Sequence, residues 1–234
     1  MHRWEPRTRS PRDLVRSPAA SPPARILVLA GVNGAGKSSV AGAAIIAQGG
    51  VFFNPDEAAR EARATVPSLD ADAANAYAWA LGKSQLERAI QERRPFAFET
   101  TLGGQTIPAL LQRALDAGLE VHMRYVGLEG VDLHLARVAA RVKRGGHDIP
   151  VERIRERYIS SRVHLLSLMP RLAHLDVYDN SAQADPATGA VPNPVLLFQM
   201  NHGAITYACD AVLTPNWAKP LVMAARAYGG VSSP

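Results

Sequence analysis

Gly31-Val-Asn-Gly-Ala-Gly-Lys-Ser38 constrains the fold of this chain more than any other stretch. The spacing G-x-x-x-x-G-K-[ST] makes a phosphate-binding loop when a strand precedes it and a helix follows. Both flanks fit. Arg25-Ile-Leu-Val-Leu-Ala30 is a short apolar run rich in branched residues, as in a strand buried on both faces, and residues 39–48 read as a helix closed by Gly49-Gly50. Glycines let successive backbone N–H groups converge on phosphate oxygens, and a helix N-terminus adds positive potential. The expected nucleotide site is therefore the backbone of Gly31, Asn33, Gly34, Ala35 and Gly36 together with Lys37, Ser38 and Ser39. Lys37 is placed to reach the β- and γ-phosphates of ATP, and Ser38 to ligate Mg²⁺.

Beyond the loop, strand and helix patterns alternate. Val51-Phe52-Phe53 reads as a second strand, with Pro55 opening a helix. Residues 70–93 form a long helix ended by Pro95, and Phe96-Ala-Phe98 a third strand reaching Glu99. A helix over 106–117, a strand over 120–128, helices over 131–143 and 151–167 and a strand over 175–178 follow. Residues 195–200 and 205–209 read as a hairpin turning at Asn201-His202-Gly203. The expected fold is α/β: a P-loop NTPase with a mainly parallel central sheet, a basic helical lid and a C-terminal β-hairpin.

At 234 residues, 47% hydrophobic and 20% charged, the chain suits one domain, taken as residues 25–234 behind a flexible basic tail over 1–24. The net charge of +5 invites a nucleic-acid reading, but it is unevenly placed. Six arginines face only Glu5 and Asp13 in residues 1–25, and eight cations face Asp148, Glu152 and Glu156 in residues 137–162. The remainder is mildly acidic. The second island sits where a lid would meet polyphosphate, which makes nucleic acid a weak partner. A lone Cys209 excludes an internal disulfide and fits a reducing cytoplasm, and no apolar run near the N-terminus is long enough to span a membrane.

In open α/β sheets ligands bind beyond the carboxyl ends of the strands, which puts Asp56 and Glu99 on the same edge as the phosphate loop. Either suits a base, a metal partner or a substrate clamp. Arg137, Arg141 and Arg144 share a helix face and lead into Gly145-Gly146-His147, whose glycines can hinge a lid. Arg153 and Arg157 follow, with Glu152 and Glu156 available for surface ion pairs, and His147 reads as a turn or capping residue. No Asn-Lys-x-Asp guanine signature occurs, and a small kinase is favoured.

The ordered set Gly31 to Ser39, Phe53-Asn-Pro-Asp-Glu57, Phe98-Glu-Thr-Thr-Leu102, Arg141 to Pro150, Glu156-Arg-Tyr158 and Tyr178-Asp-Asn-Ser181 resembles the zeta-toxin family of phosphate-loop kinases. The resemblance implies a three-layer, nucleoside-kinase-like fold and ATP- and Mg²⁺-dependent phosphorylation of a small hydroxyl substrate, a UDP-activated amino sugar in the toxin members. It implies Asp56 as the base, Glu99 with Thr100 and Thr101 as the substrate holders, and Arg141 with Arg144 or Arg157 on the γ-phosphate. An antitoxin partner is implied as well. Two other readings stand beside it: a kinase for an antibiotic or a nucleoside, and a non-catalytic ATP-binding regulator that uses its basic tail.

Overall fold

A computed structural model describes residues 24–37, 52–183 and 192–229. The tail over 1–23, the helix expected over 39–48, Ser38, Ser39 and Val51 lie outside the described residues. The strands are β1 (Arg25–Ala30), β2 (Phe52–Phe53), β3 (Phe96–Thr100), β4 (Glu120–Gly127), β5 (His174–Asp179), β6 (Val195–Asn201) and β7 (Ala204–Ala208). The helices are α1 (Pro55–Thr65), α2 (Ala71–Gln91), α3 (Thr106–Asp116), α4 (Val131–Val142), α5 (Val151–Leu168) and α6 (Lys219–Gly229).

One seven-stranded sheet carries the order β2-β3-β1-β4-β5-β6-β7. The first five strands are parallel, and β6 and β7 continue the sheet antiparallel. This is the α/β arrangement with a mainly parallel sheet expected from the sequence. β1 lies between β3 and β4, which explains its unbroken apolar run: Ile26, Val28 and Ala30 enter the main core while Leu27 and Leu29 pack on the opposite face. Tyr125, Leu165, Leu168, Val177 and Phe198 fill the main core, so strands and crossover helices share one apolar interior.

Three features differ from expectation. β3 runs on through Glu99 to Thr100, because its register with β1 continues to Ala30↔Thr100. Cys209 sits just past β7 rather than within it and is partly buried, its Sγ 3.6 Å from Thr214 Oγ1. The chain also continues past the hairpin into α6, whose Pro220 occupies the first turn, where a missing N–H breaks no helical bond. Leu221 and Ala225 of α6 are fully buried against the core. Just ahead of α6, Trp217 lies so close to Gly127 at the end of β4 that any side chain there would collide with its ring. The hairpin turn matches its signature, with His202 at φ 45° and Gly203 at φ 79°, as a two-residue turn of the I′ kind requires.

Candidate active site

The phosphate loop leaves β1 at Ala30 and is shaped by its neighbours. Gly31 adopts φ 145°, and a Cβ on it would run into the Val126 carbonyl oxygen of β4, so no other residue fits. Its N–H donates to Thr100 O at 3.2 Å, tying the loop to the end of β3. At the far side Asn180, buried after β5, donates Nδ2–H to Ala35 O at 2.8 Å. Asn180 was not singled out as a site residue from sequence; its signal was its place in Tyr178-Asp-Asn-Ser181 at a strand's carboxyl end. Lys37 closes the loop only 8% exposed, its ammonium donating to Gly31 O at 2.8 Å and pairing with Glu99 at 3.3 Å.

Asp56 reaches the same place by a different route. Asn54 caps α1, its side-chain oxygen accepting from the N–H groups of Asp56 and Glu57, which sets the Asp56 carboxylate at the positive helix end. That side chain is 64% exposed and pairs with Arg141 Nη1 at 3.4 Å. Arg141 also donates to His147 O at 2.9 Å, while its Nε is buried without a hydrogen-bond partner. His147 stands 3.1 Å from Asn75 Nδ2 of α2, so the turn between α4 and α5 meets α2 across the cleft instead of only capping a helix.

Two clefts converge here. One, of about 1080 Å³, runs between α2 and the α4–α5 turn and includes Asn33, Trp79, Thr100, Thr101, Arg153 and Arg157. The other, of about 700 Å³, includes Gly36, Arg137, Arg144, Asn180 and Ala182. Gly34, Lys37, Asp56, Glu99 and Arg141 line both. Every sequence-derived candidate among the described residues lines one cleft or both, except Gly31 and Ala35 of the loop backbone. Arg144 is exposed and lines the second cleft only.

Helix α5 braces both sides. Arg157 turns inward and donates to Asn33 Oδ1 at 2.8 Å, so it is a loop contact and not the surface ion pair its neighbours Glu152 and Glu156 suggested. Burial lowers its pKa from the ordinary arginine value, with the nearby Arg153 adding to the shift. Ser161, Ser160 and His164 donate to the carbonyls of Thr101, Gly103 and Leu102 at 2.8, 2.7 and 2.7 Å. This grip holds Leu102 at φ 56°, a conformation a non-glycine residue adopts only when its surroundings enforce it. The Thr100 and Thr101 hydroxyl oxygens accept from Leu102 N and Gly103 N, so both residues shape this turn as well as line the cleft.

His134 of α4 is buried, and its Nδ1–H donates to Asn33 O at 2.8 Å. Burial, with Lys37, Arg137 and Arg162 adding positive charge around it, drives its pKa down to about 4. An unfolded histidine takes up its proton near 6.5, so as pH falls from there toward 4 the unfolded state gains a proton that the folded state refuses. Stability is expected to fall across that window, by on the order of 3 kcal/mol from this residue, and to be independent of it above pH 6.5. Urea titrations of His134→Asn should show a flatter acid limb than the unaltered protein; an identical limb would exclude a buried neutral imidazole. Half-buried His122 is shifted down too, again by burial, and retains its own share of the slope in that variant.

A chain of the AvrRxo1-ORF1:AvrRxo1-ORF2 complex with sulphate ions superimposes with a TM-score of 0.59 at 14% identity, over 82% of this chain and 62% of that one. The same complex with ATP gives 0.59 at 13% identity, over 87% and 63%. These likenesses establish a shared fold. An uncharacterized protein of Haemophilus influenzae is 40% identical over 70 residues, 30% of this chain and half of the relative. This chain thus spans half to less than two thirds of the length of these proteins. The zeta toxin family model matches residues 12–188, a span that contains the phosphate loop, Asp56, Glu99, the basic helices and Asn180, and the chain belongs to the zeta toxin family.

Proposed function

We propose that this protein is an ATP- and Mg²⁺-dependent phosphotransferase that moves the γ-phosphate to a hydroxyl of a small molecule, with a UDP-linked amino sugar as the first candidate. It would act in the cytoplasm as a toxin restrained by an antitoxin. The observation that carries this reading is the meeting of two clefts at Lys37, Asp56, Glu99 and Arg141. Nucleotide in the smaller cleft and acceptor in the larger would face each other across two cations and two carboxylates, as in-line transfer requires.

In this reading the acceptor oxygen attacks the γ-phosphorus as its proton passes to an Asp56 carboxylate oxygen. The bond from that phosphorus to the bridging oxygen breaks, and ADP leaves. Lys37 and Arg141 neutralise charge on the transferring group. Both are paired with carboxylates in the free protein, so phosphate would replace Glu99 on Lys37 and Asp56 on Arg141. Asp56 is thereby released as a base when nucleotide arrives, and Glu99 is released to hold the acceptor with Thr100 and Thr101. The glycine cradle and the unpartnered Arg141 Nε fit a polyphosphate. Mg²⁺ would be held by Ser38, by motif, together with the nucleotide, and would supply positive charge to the phosphates. The AvrRxo1 complex solved with ATP supports the nucleotide, and its two-chain assembly supports a protein partner. Among the described residues no helix is long and apolar enough to cross a membrane.

Mass spectrometry after incubation with ATP, Mg²⁺ and a panel of UDP-sugars tests the proposal, with a phosphate increment on one sugar as the expected result. Phosphate appearing only on nucleosides or antibiotics would overturn the acceptor class, and ATP left unconsumed with every acceptor would overturn the activity. Transfer should survive deletion of residues 1–24 if residues 25–234 are the catalytic unit.

A further inference from the structure

The phosphate loop works only if its backbone N–H groups stay aimed at phosphate, and the Asn33–Gly34 peptide, like the Ala35–Gly36 peptide that Asn180 holds, is anchored from outside the loop. His134 stands one turn into α4 and is 1% exposed. Its Nδ1 lies 2.8 Å from Asn33 O, and since a carbonyl can only accept, Nδ1 carries the proton. The next residue, Gly34, sits against the same histidine from another side: at φ 82°, a Cβ on it would stand 2.8 Å from the His134 carbonyl oxygen. The imidazole is backed in turn, its edge against the Tyr158 ring at 5.6 Å between centroids, with the Arg162 guanidinium 4.0 Å over that ring.

A trans peptide is planar, so its C=O and N–H point in opposite directions. Anchoring Asn33 O on α4 therefore fixes where the Gly34 N–H points, and Gly34 is one of the residues lining both clefts. Arg157 holds the Asn33 side chain separately, so the backbone anchor is the part His134 alone supplies among the described residues. We infer that His134 is a positioning residue for the transfer proposed above, on which this rests: it orients the Asn33–Gly34 peptide so that the Gly34 N–H meets phosphate. A group that holds its ring neutral down to about pH 4 is suited to this, because the Nδ1 donor persists without an added charge beside Lys37.

The test needs no acceptor. Titration of the full chain with ATP and Mg²⁺ by calorimetry, together with thermal melting, is carried out on His134→Asn, His134→Gln and His134→Leu. The Asn amide nitrogen falls where Nδ1 stands, whereas the Gln amide lies one methylene farther out. His134→Asn is expected to bind ATP within about three-fold of the unaltered protein, and His134→Leu and His134→Gln about ten-fold more weakly, the worth of one well-placed hydrogen bond. A purely structural role would move the melting temperature and leave affinity alone, which would overturn the inference. So would a His134→Asn protein as weak as His134→Leu. If His134→Leu does not fold, the Asn and Gln variants decide the matter between them. Absence of ATP binding by the unaltered protein is a different failure, and removes the kinase reading and this inference together.

Discussion

Asp56→Asn is expected to lower phosphate transfer by about 10²–10⁴-fold, the usual worth of a positioned general base, while ATP still binds. The substitution is isosteric and removes the ability to take the acceptor proton. It also removes the negative charge that pairs with Arg141 in the free protein at 3.4 Å, so ATP no longer competes with that carboxylate for the guanidinium. ATP affinity should therefore stay level or rise as the rate collapses. Single-turnover transfer and equilibrium ATP binding on the same preparation separate the two effects. Full transfer by Asp56→Asn would dismiss the base assignment, and a parallel loss of affinity would show that Asp56 serves binding. Because Asp56 is 64% exposed, its replacement should leave the melting temperature close to unchanged.

Lys37→Met should lose both ATP binding and transfer. The ammonium makes a charge-assisted contact that a thioether cannot, worth about 1.5–3 kcal/mol in affinity alone, or ten- to a hundred-fold. Methionine keeps the buried aliphatic stem, so packing is spared, but Glu99 is left 18% exposed with its cation gone. The single variant should consequently melt early. Lys37→Met combined with Glu99→Gln removes the stranded charge and should recover most of the lost stability without recovering activity. A double variant that regained ATP binding would mean that Lys37 acts only as the counter-charge to Glu99.

These two residues mark where the sequence was informative. The loop from Gly31 to Lys37 is local: its spacing specifies a turn, and the strand before it supplies the context. The same holds for Asn54-Pro-Asp56, where a capping amide, a proline and an acid are neighbours in the chain and in space. The alternation of strands and helices was legible because each period is local too, from β1 through β5. Helix α6 was not. Its apolar face has meaning only against the sheet edge and Trp217, and two prolines nearby mask its start.

The sequence alone determined that this chain builds a phosphate loop on a buried parallel strand, with acids at neighbouring strand ends and a basic helix to follow. Backbone geometry and side-chain period act over a few residues, so they can be read in order along the chain. Only the tertiary structure decided which of those charges meet. Lys37 and Glu99 are far apart in sequence, as are Asp56 and Arg141, Asn33 and Arg157, and Ala35 and Asn180. Such pairings depend on strand order, on the crossing of α4 and α5 over the loop, and on burial that selects one partner among several arginines. Local pattern names the candidates, and the packing of distant segments assigns each its neighbour.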